Sequence, residues 1–306
     1  MARINVPLRD GERLSVQVIG RGPPVVLLHG FGSRGNHWLP NALPLAHRYR
    51  FIVPDLRGFG ASHDVPLPEP DVLATYARDV EDVLAHLSLD RVKMAGISMG
   101  ACTAMKFFAV GNAHRVTSYL NVDQSPKTRN DDAWSFGVFG HRQDEVFEVF
   151  RSLAARTDEF PLHIPYRSLP RELRRDMRET IGTFFAFAFS RRHHQIGVRF
   201  FTRNAEALLT RVVVPVSSWR SYLKVMRAYL DEEDDLRPGL RALEVPVTVA
   251  VGMRSEMYPP EGQLRIKEMV PHAEIIRFER SGHLPMLDEP LLFQRTFTRF
   301  LSQSTP

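Results

Sequence analysis

The segment that most constrains the fold is Gly96-Ile97-Ser98-Met99-Gly100. It follows an apolar run, Val92 to Ile97, and leads into a segment, Ala101 to Val110, that is apolar nearly all round. A serine between glycines at ±2, after a strand and before a buried helix, reads as a sharp strand-to-helix turn that lifts the side chain clear of the backbone. The chain must therefore place a strand and a buried helix back to back.

The rest of the pattern extends that unit. Short apolar runs recur at Val25–Leu28, Phe51–Val53, Val116–Val122, Val245–Val251 and Ala273–Phe278. They are continuous rather than alternating, as strands covered on both faces are. Amphipathic segments fall between them, notably Val72–Leu87, Pro260–Val270 and Leu291–Leu301. This alternation predicts an α/β fold with a doubly wound, mostly parallel sheet and right-handed crossovers. The alternation breaks between about 128 and 241, where helices are expected over Asp144–Ala155, Arg171–Phe189 and Ser218–Leu230. The expected organisation is a core of residues 1–127 and 242–306 with a helical cap inserted over 128–241. The acidic run Asp231 to Asp235 and Pro238-Gly239 read as a solvated turn that closes the cap.

A serine hydroxyl is a poor nucleophile at neutral pH and needs a neighbouring base. Among twelve histidines, His283 stands out, in Ser281-Gly282-His283 just after the last apolar run. Acyl transfer also needs preset N–H donors for the developing oxyanion. The backbone of Met99, beside the serine, and of Phe31, in His29-Gly30-Phe31-Gly32, are the candidates. His29 itself is expected to hold that loop by hydrogen bonds.

Four motifs now stand in order: His29-Gly30-Phe31-Gly32, Asp55-Leu56-Arg57-Gly58-Phe59-Gly60-Ala61-Ser62, the Ser98 pentapeptide and Ser281-Gly282-His283. Together they resemble the α/β-hydrolase superfamily, and within it the esterase, lactonase and cofactor-free haloperoxidase branch. The resemblance implies an α/β-hydrolase fold, a catalytic triad and no cofactor. It also implies that Asp55 and Arg57 shape a loop rather than perform chemistry.

The acid of the triad is where the chain departs from that pattern. Most relatives carry it at Gly-x-x-Asp after the strand before the last. Here the stretch reads Gly252-Met253-Arg254-Ser255-Glu256, and a hydroxyl at 255 supplies no charge. Two carboxylates remain open: Asp123, which ends the strand after the nucleophile helix, and Glu256, one residue beyond the usual place. The expected set is Ser98, His283 and Asp123, with Glu256 as the alternative acid.

Composition excludes other classes. The net charge of +5 comes without a basic block interleaved with aromatics, so no nucleic-acid partner is expected. No uncharged apolar run reaches the ~18 residues a bilayer span needs, so no membrane insertion is expected. The one cysteine, Cys102, forbids an intrachain disulfide and reads as a packing residue in a reducing, cytoplasmic setting. His193-His194 lacks further ligands at metal spacing, so no metal is expected. Arg167, Arg171, Arg174, Arg175 and Arg178 read as a solvated helix face. Aromatics crowd the cap, among them Trp134, Phe136, Phe139, Phe147, Phe150, Phe184, Phe185, Phe187, Phe189 and Trp219. They suggest a small-molecule substrate with an apolar acyl or alcohol part.

The reading is hydrolysis of a carboxylic ester, lactone or thioester through an acyl-enzyme. Acyl transfer or elimination with the same apparatus, and ligand binding with little turnover, stay open.

Overall fold

The computed structural model describes residues 1–68, 71–161, 164–206, 219–232 and 234–303. Its centre is one eight-stranded sheet: β1 (Ala2–Pro7), β2 (Arg13–Gly20), β3 (Pro24–Leu28), β4 (Arg50–Pro54), β5 (Val92–Ile97), β6 (Val116–Val122), β7 (Val247–Gly252) and β8 (Glu274–Phe278). The spatial order is β1-β2-β4-β3-β5-β6-β7-β8. From β4 to β8 all neighbours are parallel, while β2 is antiparallel to both β1 and β4. The antiparallel pair β1–β2 was not foreseen, because its strands alternate polar and apolar residues at the edge instead of forming continuous apolar runs.

After β3 the chain winds outward to β4, then returns to the other side of β3 to form β5. This reversal puts the switch point of the sheet between β3 and β5. Ligands of open α/β sheets bind outside the carboxyl ends of strands at such a point. The loop His29–Gly32 and Ser98 both stand there, since they directly follow β3 and β5.

Between β6 and β7 lies the helical insertion, with helices Gln143–Asp158, Arg171–Ala186, Arg192–Asn204 and Trp219–Asp231. The segment expected as one helix over Arg171–Phe189 ends at Ala186, and Arg192–Asn204 is a further helix that its exposed, mixed surface had concealed. Ser218, expected to start a helix, lies outside the described residues. The insertion docks on the core through interlocked rings. Phe31 meets Phe184 and Tyr222 at centroid distances of 5.0 and 5.1 Å, and Phe59 meets Tyr222 at 5.1 Å. Such pairs add roughly 0.5–1.5 kcal/mol each beyond the area they bury.

The acidic run at the end of the insertion is not simply a solvated turn. Asp234 is buried and ion-paired with Lys106 at 3.1 Å, and Glu232 accepts from the Asp71 amide at 3.1 Å. The short helix Arg237–Arg241 packs on the helix that follows Ser98, so closely that a side chain on Gly239 would strike the Met105 carbonyl.

Candidate active site

Ser98 sits between β5 and the helix Met99–Phe107 with φ 52° and ψ −125°. Residues other than glycine rarely adopt positive φ, and holding one there costs of order 1–3 kcal/mol. The turn is tight enough to require both flanking glycines. A Cβ on Gly96 would lie 2.5 Å from the Gly100 carbonyl oxygen, and one on Gly100 would lie 2.3 Å from that of Leu28. The Met99 amide falls in the first helical turn, where N–H groups have no partner within the helix.

His283 lies in the loop after β8, 4% exposed. Its Nδ1 donates to Asp123 Oδ2 at 2.7 Å. In a neutral ring that bond leaves Nε2 as the acceptor. Ser98, His283 and Phe31 line the same cleft, of about 920 Å³.

Asp123 directly follows β6, fully buried, with φ 48°. Its carboxylate has four donors. Oδ1 accepts from the Gly252 amide at 2.8 Å and from Gln263 Nε2 at 3.0 Å, and Oδ2 accepts from Ser255 Oγ at 2.6 Å as well as from His283. A carboxylate offers about four lone-pair sites, and these four bonds fill them. Gly252 has to be glycine for this approach, since a Cβ there would lie 2.0 Å from the Gly282 carbonyl oxygen and 2.9 Å from Asp123 Oδ1.

Glu256 is exposed and meets Gln195 Nε2 at 3.2 Å. The structure thus joins His283 to Asp123 and places Glu256 in a separate contact. Gln263 and the Gly252 amide, which complete the shell around Asp123, were missed. A glutamine inside an amphipathic helix carries no signal that it points inward at a carboxylate.

The loop carrying Phe31 is held by His29. Fully buried, His29 donates from Nδ1 to the Gly30 carbonyl at 2.9 Å and accepts at Nε2 from the Leu56 amide at 2.9 Å. The bond that Nε2 accepts needs the neutral ring, and burial lowers the pKa of His29 to about 4. Asp55 accepts from the Gly35 and Ala61 amides at 2.7 and 2.9 Å, and Arg57 forms a buried two-bond pair with Asp79 at 2.7 and 2.8 Å. Both residues therefore brace the loops under the site. Cys102 is fully buried, and burial pushes its thiol pKa far up, as befits packing rather than attack.

Of the cap aromatics, Phe139, Phe147, Phe150 and Phe184 surround a small space beside Ser98, while Phe184, Phe185 and Phe189 line the cleft. Trp134, Phe187 and Trp219 are buried packing residues. His193 and His194 face the cleft, and the one carboxylate trio of metal-ligating geometry among the described residues, Asp71, Glu232 and Asp234, contains neither. Lys106 lies against two members of that trio. The arginine face is only partly solvated: Arg178 is buried, and Arg174 and Arg178 both pair with Glu206, at 2.8 and 3.0 Å.

Residues 25–294 match the model of the Alpha/beta hydrolase family. The chain belongs to that family. Among its relatives is a pimeloyl-[acyl-carrier protein] methyl ester esterase of Xanthomonas campestris, 26% identical over 94% of this chain and 99% of its own. An esterase from Exiguobacterium antarcticum superposes with a TM-score of 0.78 at 25% identity, over 99% of this chain and all of that one. A bromoperoxidase from Bacillus anthracis shares the fold with a TM-score of 0.76 at 19% identity, over 99% and 100% of the two chains. Esterases thus recur among the proteins that this α/β hydrolase resembles. No helix among its described residues is long and apolar enough to cross a membrane.

Proposed function

We propose that this α/β hydrolase cleaves a carboxylic ester through an acyl-enzyme on Ser98, with His283 as base and Asp123 as the acid behind it. The observation that carries the reading is the 2.7 Å bond from His283 Nδ1 to Asp123 Oδ2, made by a histidine that shares its cleft with Ser98. Asp123 fixes the tautomer and stabilises the imidazolium that forms. His283 Nε2 takes the Ser98 proton as Oγ attacks the carbonyl carbon. The Phe31 and Met99 amides receive the oxyanion. The tetrahedral intermediate collapses, the alcohol leaves with the proton from His283, and water activated by the same ring releases the acid.

The test is Ser98→Ala against wild type on a p-nitrophenyl ester, with fluorophosphonate labelling followed by mass spectrometry. The reading expects stoichiometric labelling of wild type at Ser98 and no turnover by the variant. Unchanged turnover by Ser98→Ala would sink it. Failure of the wild type to label would instead favour a ligand-binding protein on the same fold.

A further inference from the structure

We propose that the substrate of this site is an ester of a short acyl group, two or three carbons long, with a bulky apolar alcohol. The inference rests on the hydrolytic reading above and names the substrate class within it. Two spaces meet at Ser98. One is the open cleft of about 920 Å³, walled by His283, Leu287, Phe189 and Val198. The other is an inner space of about 20 Å³ bounded by Phe139, Phe147, Phe150, Tyr229 and Tyr258. Among the described residues, Ser98, Phe31, Phe184 and Met257 border both spaces, and His283 borders the cleft alone.

That asymmetry assigns the two sides. In acylation the Ser98 Oγ–carbon bond forms and the carbon–alkoxide bond breaks. The proton taken from Ser98 passes through His283 to the departing alkoxide. The leaving oxygen must therefore be on the His283 side, in the cleft. In deacylation water enters by the same side, its hydroxide adds to the carbonyl carbon, and its proton returns through His283 to Ser98. With the carbonyl oxygen turned to the Phe31 and Met99 amides, the acyl tail is left to the inner space.

Size then sets the class. A cavity needs roughly 10–15 Å³ to admit one water. About 20 Å³ therefore suits a methyl or ethyl tail. The walls brace one another: Phe139 meets Phe147 and Phe150 at centroid distances of 6.5 and 6.1 Å, and Phe150 meets Phe184 at 6.2 Å. Among the described residues no charged side chain lines the inner space, so a charged acyl tail would be buried without a partner. The cleft, in contrast, has room for a large alcohol and presents mostly carbon to it.

The experiment compares kcat/KM for p-nitrophenyl acetate, butyrate and octanoate, and for ethyl against 2-phenylethyl acetate. A methylene that a pocket cannot accommodate costs about tenfold or more. The acetate should exceed the octanoate by at least about 100-fold, and 2-phenylethyl acetate should exceed ethyl acetate. Phe150→Ala should raise the octanoate-to-acetate ratio by about tenfold or more; the wild-type series decides the matter if that variant does not fold. Octanoate hydrolysed within threefold of acetate by the wild type, or no preference for the larger alcohol, overturns the proposal. Absence of any ester turnover together with absence of Ser98 labelling overturns the hydrolytic reading beneath it instead.

Discussion

Ser255 Oγ donates to Asp123 Oδ2 at 2.6 Å. The position after β7 where the family resemblance placed the acid thus holds a hydroxyl turned toward a carboxylate that follows the neighbouring strand. With His283 Nδ1 on the same oxygen, the charge behind the imidazole comes from β6 and its orientation is fixed in part from β7.

Asp123→Asn should lower kcat/KM for an activated ester by roughly 10³–10⁴-fold, because an amide favours the wrong imidazole tautomer. Glu256→Gln should leave it within about twofold. Steady-state kinetics on both variants, with circular dichroism to confirm folding, checks this. Loss of activity in Glu256→Gln alone would reverse the assignment.

Ser255→Asp puts a carboxylate where the family resemblance placed the acid, yet it should impair the enzyme. Two buried carboxylates in contact cannot both ionise. The single variant should lose at least about tenfold in kcat/KM at pH 7. Added to Asp123→Asn, the same change supplies a carboxylate within reach of His283 and should recover part of the lost activity. A double variant no better than Asp123→Asn would count against the interchange.

Ser98→Gly should abolish turnover and raise stability by about 1 kcal/mol, because glycine adopts positive φ without the strain of a side chain. Ser98→Ala keeps that strain and should show no comparable gain. Urea denaturation of the two variants beside wild type measures the difference. Equal midpoints would show that the turn at φ 52° stores no strain of this size.

The pKa of His29 is lowered to about 4 by burial, against about 6.5 in an unfolded chain. Between these values the unfolded chain binds more protons, so this group's contribution to stability is present above pH 6.5 and is lost as pH falls toward 4. The loss amounts to about 3 kcal/mol. His29→Gln should flatten the decline in unfolding free energy between pH 7 and pH 4 relative to wild type. Parallel curves for the two proteins would refute the assignment.

The parallel part of the sheet was legible because its inner strands, β3 to β7, are buried on both faces and read as mostly apolar runs. The edge pair β1–β2 escaped for the opposite reason, its faces being unequal. At the site, Ser98 was marked by the glycines its turn demands, and His283 by its place after the last strand. The pairing of Asp123 with His283 could only be argued, because it joins residues 160 positions apart. Gln263 was illegible, since its role depends on which face of a short helix turns inward. Asp234 was misread because a run of acids looks solvated until Lys106, far off in sequence, is seen against it.

Beyond Ser255 the chain continues into Met257 and Tyr258, which form part of the wall of the inner space. With the carboxylate held at the end of β6, this loop is relieved of supplying charge to the imidazole. In the proposed assignment the side chains of Met257 and Tyr258 shape the acyl space while their backbone braces the shell of Asp123, since the Tyr258 amide donates to Ser255 Oγ at 3.3 Å and its carbonyl accepts from Gln263 Nε2 at 3.2 Å. In this proposal substrate choice and proton transfer are anchored at the ends of two adjacent strands, and an engineer would vary the side chains of the first while keeping the backbone that braces the second.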